Sequence, residues 1–195
     1  MELILASGSP RRKQLLTELG FNFRVQAVNI DEGLPSSLAA RKAALFLAHK
    51  KGLAAKKISR NHSWILSADS VVILNDTVLG KPIDRQDAIK TLLSLSNQVH
   101  QVHTAFYITN QRKEWAQRVV STVYMDKISL AEAEYYVDNF EPYDKAGSYA
   151  IQEWIGYCKV KKIEGSYTNI VGLPTHEVYQ AFTKLGYLED TGDLN

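Results

Sequence analysis

Apolar and polar positions along this chain keep two different periods, and each change of period marks an element. Leu3-Ile4-Leu5-Ala6 is an unbroken apolar run, as expected of a short buried strand. Ser7-Gly8-Ser9-Pro10 follows as a turn in which Ser9 suits an N-cap and Pro10 the first helical position. The spacing predicts a helix over 10–19, stopped by Gly20, and a strand over 21–27. A longer helix is expected over 35–57, opened by Ser36 and Ser37, and then a strand over 64–67 that ends at Ala68-Asp69-Ser70. Runs at 71–74 and 77–79 flank Asn75-Asp76, a hairpin turn. Asp84 caps a helix reaching about Leu95. Residues 99–109 and 115–127 are strand-like, joined by the polar stretch 110–114. Ser129-Leu130-Ala131-Glu132 is a capping box opening a helix to about Val137. A strand over 157–163 and a last helix from Pro174 to near Gly186 complete the pattern. The expected class is α/β, a mixed central sheet flanked by helices. No repeat and no linker rich in Gly, Pro or Ser divides residues 1–195, which read as one domain with two lobes around a cleft.

Composition narrows the function more than the fold. The 195 residues can bury one sizeable core, and 45% hydrophobic against 23% charged residues excludes a disordered chain. No apolar run approaches the roughly 20 residues that span a bilayer, so no membrane partner is expected. Glu2 and an apolar run that stops at Ala6 argue against a signal peptide. The single cysteine, Cys158, forms no internal disulfide and no cysteine zinc cage; it reads as a core thiol in a protein of the reducing cytoplasm. The net charge of +2, without interleaved aromatic and basic residues, argues against nucleic acid as partner. The charge is uneven, however. Residues 1–51 hold eight basic and four acidic side chains, while the C-terminal tail is acidic at Glu189, Asp190 and Asp193. A small polyanion suits that basic quarter.

Ser7-Gly8-Ser9-Pro10-Arg11-Arg12 stands where the first strand hands over to a helix. A helix start offers unpaired N–H groups and partial positive charge, Gly8 permits close approach, and two guanidiniums match phosphate geometry. Neither the P-loop nor the dinucleotide-binding glycine pattern is present, and the same residues also describe a plain capped helix with two surface arginines. Asp69, at the expected end of an apolar strand, is a candidate carboxylate for holding Mg²⁺ or activating water, or a turn-forming aspartate. Glu32, Lys51 and Lys81 are each candidates or plain surface charges. His49, His62, His100, His103 and His176 form no zinc spacing, and Trp64, Trp115, Trp154, Tyr135 and Tyr136 read as packing residues.

Leu5-Ala6-Ser7-Gly8-Ser9-Pro10-Arg11-Arg12 resembles the opening signature of the Maf family of nucleotide pyrophosphatases. Asn29-Ile30-Asp31-Glu32, Ser67-Ala68-Asp69-Ser70 and Leu79-Gly80-Lys81-Pro82 resemble the next three blocks of that family. The stretches 141–152, from Glu-Pro-Tyr-Asp-Lys to Gln152, and 165–174, Gly-Ser-Tyr-Thr-Asn-Ile-Val-Gly-Leu-Pro, resemble two more. The likeness runs in order from residue 3 to about 185. It implies an inosine-triphosphatase-like α/β fold, a divalent cation (Mg²⁺ or Mn²⁺), a nucleoside triphosphate substrate and often a homodimer.

The resemblance also implies roles. Asp69 is the proton acceptor, and Glu32 with Asp69 holds metal. Ser7, Arg11, Arg12, Lys51 and Lys81 hold phosphates. Arg12, Ser70 and Gln152 match the three positions tied to base preference, where the dTTP/UTP subgroup has Arg, Thr and Gln. Ser70 departs from that pattern by one methyl and keeps the hydroxyl. The reaction implied is hydrolysis at the α-phosphorus of dTTP or UTP to the nucleoside monophosphate and pyrophosphate, a clearing of the nucleotide pool. Two alternatives stand beside it: a nucleotide-binding regulator of septum formation with little turnover, and a relative preferring methylated purine triphosphates.

Overall fold

The computed structural model describes residues 2–60 and 63–188, so His62 and the acidic tail from Glu189 lie outside the described residues. Seven strands form one mixed sheet: β1 (Leu3–Leu5), β2 (Phe23–Val25), β3 (Trp64–Leu74), β4 (Thr77–Leu79), β5 (Val99–Thr109), β6 (Glu114–Met125) and β7 (Val160–Glu164). Their order is β2-β1-β3-β5-β6-β7, with β4 also on β3. β1 lies parallel to β2 and β3, whereas β3-β5-β6-β7 run antiparallel. Among the described residues, seven α-helices flank the sheet: α1 (Pro10–Glu18), α2 (Ala43–Ile58), α3 (Arg85–Leu95), α4 (Leu130–Phe140), α5 (Trp154–Lys159), α6 (Tyr167–Val171) and α7 (Thr175–Leu185). No helix among the described residues is long and apolar enough to cross a membrane.

Short-range signals decide most element ends. Ser9, Asp84 and Ser129 cap α1, α3 and α4 through their side chains, the last with Glu132 completing the capping box. Asn75 and Asp76 both take positive φ in the β3–β4 hairpin. Gly186 closes α7 in the left-handed region.

The strand expected over 21–27 shortens to Phe23–Val25, α6 has no counterpart in the pattern, and four further expectations change. The long helix begins at Ala43, not Pro35, because the buried series Ala43, Ala44, Leu47 and Ala48 starts there while residues 35–37 are exposed; a turn and a 3₁₀ segment fill the gap. Residues 157–159 belong to α5, and only 160–164 are strand. On that short helix Ile155 and Gly156 take the inward positions, so Cys158 is exposed and not a core thiol. Finally, the strand expected over 64–67 continues unbroken to Leu74, so Asp69 lies mid-strand rather than at a strand end.

The core explains that continuity. Trp64, Leu66 and Ala68 pack with Leu15, Leu16 and Phe182 of α1 and α7 in one apolar cluster. Val72 belongs to a second cluster with Leu92, Val102, Tyr136 and Val137, under α3 and α4. On the opposite face, Ile65 packs against Ala55, and Val71 and Ile73 pack against Ala44 and Ala48 of α2. The two apolar faces therefore run the length of β3 and hold it straight through the polar residues at its centre.

α2 lies close on this sheet because of Gly52. A methyl group there would overlap the Tyr107 ring and the Ser67 hydroxyl, which itself donates to the Ala48 carbonyl at 2.7 Å. Gly52→Val is expected to cost about 1–3 kcal/mol by overpacking, roughly 2–12 °C in Tm for a chain of this size. A thermal melt with Tm unchanged would show that α2 does not need this close approach.

Candidate active site

Between β1 and β4, the strand β3 has no partner on one edge among the described residues. β1 pairs with it at Trp64–Leu66 and β4 at Val72–Leu74, whereas residues 67–71 pair with β5 alone. A cavity of about 660 Å³ opens at that edge. All nine site residues named from sequence line it: Ser7, Arg11, Arg12, Glu32, Lys51, Asp69, Ser70, Lys81 and Gln152.

The pleat sends Asp69 and Ser70 to different helices. Asp69 faces α2, where Lys51 Nζ lies 2.5 Å from Asp69 Oδ1 and 2.7 Å from Glu32 Oε1. Lys81 Nζ is 3.9 Å from the other Glu32 oxygen. Burial would raise the Glu32 carboxyl pKa, but the Lys51 hydrogen bond and the charges of Lys51, Lys81 and Arg12 outweigh it and hold the group below its ordinary value. Two carboxylates thus converge on one positive charge. No group of three or more His, Cys, Asp or Glu side chains among the described residues is placed to hold a metal alone. Two hard oxygen donors, to be completed by phosphate oxygens, are the set that Mg²⁺ ordinarily takes, so these residues fit the ion.

Ser70 faces α1. Arg12 donates from Nη2 to Ser70 Oγ at 3.1 Å, from Nη1 to Ser7 Oγ at 3.2 Å, and from Nε to the Gly172 carbonyl at 2.9 Å. Gly172 adopts φ 135°, which side chains rarely do, and that turn aims its carbonyl at the guanidinium. Burial pushes the Arg12 pKa below its ordinary value, with the Asp69 charge opposing. Ser7 Oγ also accepts from the Ser9 amide at 3.3 Å, so both its lone pairs are engaged and its proton is free for an acceptor such as a phosphate oxygen.

Arg11 reaches across the cavity mouth to Asp144 at 3.3 Å. Asp144 also meets the buried Lys145 at 2.7 Å, and Lys145 lies 3.5 Å from Glu153. Tyr136 donates to Glu153 at 2.5 Å and accepts from the Ala150 amide at 3.1 Å. The segment carrying Gln152 is therefore clipped at both ends and in the middle. Gln152 Oε1 is buried without a hydrogen-bond partner, an acceptor that a ligand N–H would satisfy.

Sequence reasoning missed Thr104 and gave Asn169 no role. Thr104 lies opposite Ser70 on β5, its hydroxyl 2.8 Å away, and also bonds Asn169. Both are fully buried, and only the β3–β5 register and the packing of α6 bring them to the site.

Comparison with known proteins bears on the whole chain. Residues 2–185 match the family described as "Maf-like protein". A protein of Porphyromonas gingivalis named "dTTP/UTP pyrophosphatase" is 40% identical over 197 residues, covering 100% of this chain and 96% of that one. One of the same name from Bacteroides thetaiotaomicron is 40% identical over 185 residues, 94% of this chain and 96% of its own. Among solved structures, a dITP/XTP pyrophosphatase of Mycobacterium abscessus aligns over 100% of both chains with a TM-score of 0.47 and 13% identity.

The Glu32 pairing has a pH signature. With its folded pKa depressed, Glu32 stabilises the fold above the ordinary 4.5, and that contribution is lost as pH falls through the depressed value. The Tm difference between wild type and Glu32→Gln is expected to be largest above pH 4.5 and to close below it. A difference that does not change with pH would show that the Lys51–Glu32 contact does not hold the carboxylate ionised.

Proposed function

The chain belongs to the Maf-like protein family, and from that premise we propose that it hydrolyses nucleoside triphosphates, dTTP and UTP foremost, to the nucleoside monophosphate and pyrophosphate. The observation that carries this reading is the convergence at one open strand edge. Asp69 meets a lysine on one face while its neighbour Ser70 meets an arginine on the other, and a helix N-terminus borders the same cavity. Relatives at 40% identity that bear the name dTTP/UTP pyrophosphatase support the substrate class and do not favour a regulator with little turnover.

The residues divide the work. The first turn of α1 cradles phosphate oxygens with its amides, and Ser7 and Arg11 add donors. Lys51 and Lys81 offset charge that grows on the departing pyrophosphate. Asp69 accepts a proton from the attacking water as its oxygen bonds the α-phosphorus and the bond to the bridging oxygen of the β-phosphate breaks. Glu32 and Asp69 would hold Mg²⁺ or Mn²⁺, which when bound neutralises phosphate charge and draws electron density from the phosphorus. Arg12 joins Ser7 and Arg11 in holding phosphate, Ser70 and Gln152 face the base, and an amide that both donates and accepts matches the O/N–H edge of uracil or thymine. The reading includes a cytoplasmic homodimer that clears unwanted nucleotides; the lone, exposed Cys158 suits a reducing setting.

Pyrophosphate release from a panel of nucleoside triphosphates with Mg²⁺ tests the proposal. Wild type is expected to act best on dTTP or UTP, Asp69→Asn to lose about 10²–10⁴ in kcat, and Lys81→Met about 10²–10³. Tight nucleotide binding with no release from any triphosphate would overturn the hydrolase reading. Gln152→Ala is expected to lower the ratio of dTTP over GTP turnover, and an unchanged ratio would remove Gln152 from the base wall.

A further inference from the structure

A polar layer separates the two apolar clusters on the α1 face of the sheet, and its hydrogen bonds have a fixed direction. Arginine can only donate, so Arg12 Nη2 gives a proton to Ser70 Oγ at 3.1 Å. A carbonyl can only accept, so the Thr104 hydroxyl proton goes to the Asn169 backbone oxygen at 2.7 Å. The 2.8 Å contact between the Ser70 and Thr104 hydroxyls then has one arrangement, in which Ser70 donates and Thr104 accepts. Asn169 cannot turn away. Its Nδ2 donates to the Val102 carbonyl at 3.0 Å and to Ser121 Oγ at 2.8 Å, and its Oδ1 accepts from the Thr104 amide at 3.2 Å. Thr104 and Asn169 are both fully buried, and neither lines the cavity.

From this we infer that Thr104 is a specificity-determining positioning residue: seated on Asn169, it takes the Ser70 proton, so that Ser70 meets the nucleotide as an acceptor only. The inference rests on the hydrolase reading above. One lone pair of Ser70 goes to Arg12 and its proton to Thr104, which leaves one lone pair for the cavity. Gln152 Oε1 is a second unpaired acceptor in the same wall. With Ser70 Oγ set against N3 of the pyrimidine, hydrogen there is rewarded and a lone pair there penalised, because a buried acceptor facing another acceptor is left unsatisfied; the N4–H of cytosine reaches only the other acceptor. Uracil and thymine carry hydrogen on N3, whereas cytosine has a lone pair there. Ser7, with both lone pairs engaged and a proton to give, has the opposite polarity, suited to phosphate.

Thr104→Val removes the acceptor, frees the Ser70 proton and lets serine donate to a ligand. The expected result is a fall of about tenfold in the ratio of kcat/KM for UTP over CTP, the worth of one satisfied hydrogen bond, carried mainly by KM. Thr104→Ser, which keeps the hydroxyl, is expected to keep the wild-type ratio. Ser70→Ala is expected to narrow the ratio too, and adding Thr104→Val to it to change the ratio little further, since both act through one hydroxyl. A wild-type ratio in Thr104→Val, or two effects that multiply in the double variant, would overturn the inference. If the valine variant does not fold, Thr104→Cys, a much weaker acceptor of similar size, supplies the same comparison. A wild type that releases no pyrophosphate fails the hydrolase reading itself; an active wild type whose ratio ignores Thr104 fails this inference alone.

Discussion

A strand turns successive side chains to opposite faces, and β3 applies that rule at the place where one of its edges has no partner. Asp69 and Ser70 are neighbours in sequence, yet one meets Lys51 of α2 and the other Arg12 of α1. Were β1 two or three residues longer, or β4 to continue past Leu79, the edge would be paired and no cavity could open there. Were β3 to bend at Ala68, its two apolar faces would lose register with the helices. The continuous core under Trp64–Leu74 therefore keeps a charged, solvent-open centre in a rigid frame.

That frame also decides how the charges rest. Lys51 bridges Glu32 and Asp69, Arg11 leans on Asp144, and Arg12 gives its donors to two serines and a carbonyl. Such mutual pairing keeps buried charge affordable without a ligand. A polyphosphate offers the three cations more negative charge than the protein's own carboxylates do. The base side is held differently, through the ion pairs and the tyrosine that clip the segment from Lys145 to Glu153. A segment held at three points presents Gln152 at little further entropic cost on binding.

Much of the frame was legible from local rules. Ser9, Asp84 and the Ser129–Glu132 box act over three residues, so the caps need no knowledge of the fold. The Asn75-Asp76 turn and Gly186 need only a backbone conformation. Where reading failed, a distant partner had decided. Residues 35–42 carry serines fit for a cap, but the buried series begins only at Ala43, so packing sets the helix start there. Residues 157–159 carry a strand-like pattern, yet Ile155 and Gly156 turn inward and wind them into α5, leaving Cys158 outside. Helix-start and carboxylate chemistry single out Ser7, Arg11, Arg12 and Asp69, whereas for Glu32, Lys51 and Lys81 only likeness to a family decides between a site role and a plain surface charge.

By itself, the amino-acid sequence determined the α/β class, the capped start of α1 behind Ser7-Gly8-Ser9, and the residue types able to handle a phosphate anhydride, because those follow from interactions within a few residues and from side-chain chemistry. Tertiary structure alone decided that Asp69 lies mid-strand at an open edge, that Lys51 stands between two carboxylates, and that Thr104 and Asn169 set the polarity of Ser70. Thr104 and Asn169 are 34 and 65 positions apart from their partners. Hydrogen-bond direction is a property of a closed set of neighbours, and only strand register and helix packing bring that set together.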